Sequence, residues 1–162
     1  MSGEIARRFA DNAGQPTPPS LTLNGPALHV EVRLAPPAAT REIIGGGPLP
    51  QPMTGAALID TGASHTCIDI RALVGVGAHP IRSRTAITPA GLVDLNTYAA
   101  SLRLPEVGFE VDFEAVTGID LANLQTEIDG TRQPVIALIG RDLLERCVFV
   151  YDGPGAEFTL SA

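Results

Sequence analysis

A chain of 162 residues with 44% hydrophobic and 18% charged residues is long and apolar enough for one folded domain, which excludes a disordered chain. Its formal charge of −7 excludes the basic surface that nucleic acids and anionic membranes require. No stretch approaches the ~20 apolar residues of a membrane span, and Met1 to Gly14 lacks the apolar centre of a secretory leader, so the expected location is cytoplasmic.

Residues 1–20 read as a flexible arm, because Gln15-Pro16-Thr17-Pro18-Pro19-Ser20 suits neither a helix nor a central strand. The domain is expected over 21–162, beginning at Leu21-Thr22-Leu23 and the tight-turn dipeptide Asn24-Gly25. Leu28 to Leu34 alternates apolar and polar residues, the pattern of a strand with one buried face. Residues 35–53, rich in Pro, Gly and Ala, read as an inserted loop, tolerable because closure entropy grows slowly with length.

The apolar run Ala56-Ala57-Leu58-Ile59 then drives into Asp60-Thr61-Gly62, followed by Ala63-Ser64-His65-Thr66-Cys67-Ile68. A carboxylate at the end of a buried strand is costly unless it is partnered. Gly62 lets another backbone, or a substrate, approach that carboxylate. Asp69 can cap a short helix through Leu73, ended by Gly75 or Gly77. Arg82 to Ile87, the turn Thr88-Pro89-Ala90-Gly91 and Leu92 to Tyr98 read as a hairpin, with Gly91 supplying backbone freedom at its tip. Taken alone, that hairpin is an ordinary surface one.

Ala99 to Leu104 and Val107 to Val116 read as two further strands, the second burying Val107, Phe109, Val111 and Phe113. Asp120 to Gln125 reads as a helical turn, Glu127 to Thr131 as a loop, and Val135 to Ile139 as a buried strand. Arg141 to Arg146 reads as a short helix for which Asp142 offers a cap, followed by strands Cys147 to Tyr151 and Glu157 to Leu160. Many short strands punctuated by Gly and Pro, with one or two brief helices, make an all-β, barrel-like domain.

Cys67 and Cys147 lie in apolar segments and read as buried free thiols. Cys67 sits two residues from His65, a spacing that rarely aims a thiol at an imidazole, and no third orienting group is apparent. His29, His65 and His79 lack zinc-site spacing, so neither a metal nor another cofactor is expected.

Asp60-Thr61-Gly62 after an apolar strand resembles the active-site motif of aspartic proteases, and the shortness of the chain resembles their retropepsin-like branch. A second feature in the right order strengthens the likeness: Ala137-Leu138-Ile139-Gly140-Arg141, two apolar residues and a glycine before a helix opening with Arg. The resemblance implies a closed barrel in which the hairpin at Thr88-Pro89-Ala90-Gly91 is a flap folding over a bound peptide. It implies catalysis by Asp60, with Thr61 bonding across to a second subunit and Gly62 contacting substrate backbone. Ala63, Ser64, the four flap residues, Ile136 and Leu138 would contact the substrate, an extended peptide or protein segment.

This chemistry needs two carboxyl groups sharing one proton, and the chain supplies one. Asp129-Gly130-Thr131 and Asp152-Gly153-Pro154 do not repeat the motif, so the active form is expected to be a homodimer with Asp60 from each copy on the two-fold axis. By the resemblance, Glu157 to Leu160 is the candidate for pairing between subunits. Ala63 offers no hydroxyl to the carboxylate pair, which predicts an optimum near pH ~5–6 rather than a strongly acidic one. The acid that retroviral enzymes pair with the residue matching Arg141 is replaced by Ser64 and His65, so Arg141 must find another partner. Two other readings remain open here: a catalytically silent module that dimerises or binds peptides, and a scaffold barrel with an incidental Asp-Thr-Gly.

Overall fold

The computed structural model describes residues 3–88 and 91–162, save the side chains of 40–42 and 88. In chain order the elements are β1 (Glu4–Arg8), α1 (Pro18–Asn24), β2 (Ala27–Leu34), α2 (Pro36–Ile44), β3 (Met53–Ile59), β4 (Cys67–Asp69), α3 (Ile70–Gly75) and β5 (Pro80–Thr88). There follow β6 (Gly91–Leu104), a single 3-10 turn (Pro105–Val107), β7 (Phe109–Ile119), β8 (Gln125–Ile128), β9 (Thr131–Ile139), α4 (Arg141–Leu144), β10 (Val148–Asp152) and β11 (Glu157–Ser161).

Six strands close on themselves in the order β2-β3-β9-β4-β7-β6, and β6 returns to β2. The β3–β9 and β4–β7 pairs are parallel. The fold is thus mostly β, a closed six-stranded barrel with few short helices, as expected. Closure removes the exposed strand edges that an open sheet presents. Alternation fills the barrel: Leu28, Val30 and Val32 of β2 point inward to meet Ala57, Ile59 and Ala137. Burying each large aliphatic side chain contributes roughly 1.5–3 kcal/mol. Two elements project from the ring: β5 pairs with β6 as a long hairpin, and β8 pairs with β9.

Several expectations are corrected. Residues 1–20 are not an unpaired arm, because β1 lies against β11 in the register Glu4↔Ser161 to Arg8↔Glu157. The buried Arg7 fastens that strand by ion pairs to Glu106 and Asp129 at 2.6 and 2.7 Å. Leu21 to Leu23 is helical, as Pro18 and Pro19 occupy the first turn of α1, where a missing N–H costs nothing. The same device opens α2, so 35–53 is not loop throughout; the helix gives way at Gly45-Gly46-Gly47, where Gly46 has φ +76°. Tyr98 and Ala99 do not end one strand and start another: β6 runs through, with a bulge between Tyr98 and Ala100. Gln125–Ile128 is a strand, turned into β9 through Asp129 (φ 51°) and Gly130 (φ 74°).

The largest correction concerns the end of the chain. Strand β11 lies between β1 and β10, so both its edges are hydrogen-bonded within the chain and it has none left for a second subunit.

Candidate active site

Strand β3 carries Asp60 out of the barrel, and its N–H donates to the Ile139 carbonyl at 2.9 Å. The half-buried Asp60 carboxylate accepts through Oδ1 from the N–H groups of Gly62 (3.0 Å) and Ala63 (3.2 Å). Among the described residues Oδ2 has no donor. A Cβ on Gly62 would lie 3.1 Å from Asp60 Oδ1, so a side chain there crowds the carboxylate.

The loop from Asp60 to Thr66 is stapled to the segment after β9. Arg141 N–H donates to the Ala63 carbonyl (3.0 Å) and Asp142 N–H to the Ser64 carbonyl (3.3 Å). The Arg141 guanidinium donates to the carbonyls of Thr61 (2.8 Å) and Gly62 (3.1 Å) and to Ser64 Oγ (3.0 Å). The partner missing from its sequence neighbourhood is therefore the loop's own backbone. Gly140 must be glycine, since a Cβ there would meet the His65 carbonyl carbon at 2.4 Å.

Asp142 does not cap its helix in the expected way: the N-cap of α4 is Gly140, without a side-chain bond. Its carboxylate accepts from Leu143 N–H (2.9 Å) inside the first turn and also reaches Thr66, accepting from Thr66 N–H (2.8 Å) and Oγ1 (2.7 Å). Thr66 Oγ1 in turn accepts from Gly140 N–H at 3.1 Å. Asp69 does cap α3, as expected, accepting from Arg71 N–H. Sequence reasoning missed the Thr66–Asp142 pair, because nothing local signals a contact between residues so far apart in the chain.

Of the expected substrate contacts, Ala63 and Ser64 stand in the loop, and Leu138 lies beside Cys67 on the neighbouring strand. Ile136, at 6% exposure, packs in the core against Gly55 and is not brought to the loop. Thr88 and Gly91 pair across the end of the β5–β6 hairpin, while Pro89 and Ala90 lie outside the described residues. Thr61 is exposed, and its hydroxyl has no partner among the described residues.

Cys67 and Cys147 are free thiols. Burial, then the Asp142 carboxylate, pushes the Cys67 thiol up, the wrong direction for a nucleophile. Burial also raises Cys147. Cys67 Sγ faces the His65 carbonyl at 3.7 Å rather than its ring. Among the described residues no group of His, Cys, Asp and Glu side chains converges to hold a metal ion, and no helix is long and apolar enough to cross a membrane.

No family model matches the chain, and no curated protein matches it. Among solved structures it is similar to a retropepsin-like aspartic protease from Rickettsia conorii, with 18% identity over 99% of this chain and 92% of that one and a TM-score of 0.47.

Proposed function

We propose that the chain is a retropepsin-like aspartic endopeptidase, working in the cytoplasm as a homodimer in which Asp60 of each copy supplies one carboxyl group. One observation carries the reading: a half-buried carboxylate just past β3 is gripped on one oxygen by two backbone N–H groups, and its other oxygen has no donor among the described residues. The loop that follows Asp60 holds this carboxylate in place by its own backbone.

With two such loops face to face, one carboxylate takes a proton from a water, whose oxygen attacks the carbonyl carbon of an extended peptide. The second, protonated, carboxyl gives its proton to the carbonyl oxygen. Collapse of the tetrahedral intermediate passes a proton to the amide nitrogen, and the C–N bond breaks. Holding both acids within contact keeps one proton between them, since two like charges there do not ionise together cheaply. The exposed Thr61 hydroxyl, without a partner among the described residues, bonds to the facing loop. Because β11 is enclosed, the two copies meet through other surfaces, with the Asp60 loops at the two-fold axis.

Purified protein incubated with an unstructured protein substrate between about pH 4 and 7 should cleave it, and Asp60→Asn should not. Equal cleavage by both proteins would overturn the assignment.

A further inference from the structure

One row of paired residues crosses the sheet beside the Asp60 loop: Leu58, Leu138, Cys67, Thr117, Thr97 and Arg82. Residues directly opposite each other on paired strands share a face, so Arg82 lies on the same face as Leu138 and Cys67. Arg84, two residues along β5, is on that face too, opposite Leu95. Ala86, Leu95 and Thr97 on this side are wholly or partly covered, while Arg82, Arg84 and Val93 on it are exposed. Ser83, Thr85, Ile87, Leu92, Asp94 and Asn96 on the other side are all exposed.

The arginines of this chain are mostly committed. Arg7, Arg33, Arg71, Arg103 and Arg141 each bind a carboxylate or a carbonyl, and Arg146 lies over the Phe109 ring. Arg84 has no hydrogen bond or ion pair among the described residues, and the acid of its own hairpin, Asp94, accepts from Thr85 on the opposite face. Against burial and Asp142, which push the Cys67 thiol up, Arg84 pulls it down, so the guanidinium is within electrostatic reach of Cys67.

We propose that Arg84, supported by Arg82, is a specificity-determining residue that takes an acidic side chain of the bound peptide, a few residues from the apolar pair at the scissile bond. This rests on the peptide-binding reading above and adds a substrate class to it. A free planar guanidinium matches a carboxylate with two parallel hydrogen bonds, a geometry a lysine does not offer. An extended peptide laid across this face turns every second side chain toward it, so apolar contacts at Leu138 on β9 and an acid at Arg84 on β5 fit one extended segment. In a two-fold assembly the preference applies on both sides of the cut.

The test uses short peptides with a central apolar pair and either Glu, Gln or Lys a few residues away. Binding is read by fluorescence anisotropy on the Asp60→Asn chain, and cleavage on the wild-type chain, each with Arg84, Arg84→Gln and Arg84→Glu. Glu should be favoured over Gln by about tenfold at low salt. The preference should shrink as salt is raised. Arg84→Gln should abolish it, and Arg84→Glu should turn it toward Lys. Equal binding of Glu and Gln peptides, or a preference untouched by Arg84→Gln, overturns the proposal. Glu-selective binding without wild-type cleavage sinks the peptidase reading but keeps this site. Cleavage without charge preference does the reverse, and neither binding nor cleavage of any peptide overturns both.

Discussion

Asp60 and Asp69 stand close together in the chain, one just past β3 and one ending β4, yet the fold treats them oppositely. The Asp69 side chain is 2% exposed and both its oxygens are occupied. Oδ1 accepts from Arg71 N–H (2.8 Å) and Nε (3.0 Å), and Oδ2 from Arg71 Nη2 (2.9 Å) and Leu121 N–H (2.8 Å). Burial alone would raise its pKa, but the bonds from Arg71 and from the Leu121 N–H outweigh it and hold the carboxyl below the usual carboxylate range. Among the described residues Asp60 is bonded on one oxygen only, half-buried, on a loop clamped by Arg141. The Asp69 carboxylate joins β4 to α3 and to the segment after β7, whereas the Asp60 carboxylate is held by its own loop.

The comparison is broken most sharply by exchanging the effects of the two acids. Asp60→Asn should lower kcat/KM by about a thousandfold or more while leaving the melting temperature nearly unchanged, since the amide oxygen still accepts from Gly62 and Ala63. A large fall in melting temperature would instead make Asp60 a structural residue. Arg141→Ala removes the clamp on the Thr61 and Gly62 carbonyls and should lower kcat by about ten- to a hundredfold with little change in KM, because the loop loses its position rather than its chemistry. Arg141→Lys should recover part of that loss, and a pure KM effect would refute the positioning role.

Asp69→Asn should cost about 1–3 kcal/mol of stability at neutral pH and leave the kcat of the folded protein intact, as read from denaturant unfolding. The sign of its pH dependence follows from the lowered pKa. The folded carboxyl binds a proton less readily than the unfolded one, so its stabilisation is present above the unfolded carboxylate pKa. That stabilisation is lost as the pH falls through the folded value, below about pH 4. Wild-type stability should therefore drop across that range more steeply than that of the Asn variant; parallel curves would contradict the assignment.

The parts of the fold legible in the sequence were those written by local pattern. The alternation of β2, the apolar run into Asp60, the Asp69 cap and the hairpin around Gly91 all declare themselves within a few residues. What stayed hidden depends on distant partners. Strand β1 is short and polar, and becomes a strand only because β11 returns to pair with it. Prolines 18, 19, 36 and 37 looked like helix breakers because their position in the first turn cannot be known before the helix is placed. Within the site, the sequence marks Asp60, Gly62 and Gly140, but the partners of Arg141 are carbonyl groups that every residue owns. Their identity emerges only when the two loops are stacked. The enclosure of β11 belongs to the same class, since an edge strand and a central one carry the same alternation.

The central claim, one acid from each of two copies, is tested most directly by mixing. Wild-type and Asp60→Asn chains, co-refolded at constant total concentration and varied ratio, should lose activity as the square of the wild-type fraction, because a mixed pair holds a single carboxyl group. A linear loss, in which each wild-type chain works regardless of its neighbour, would contradict it.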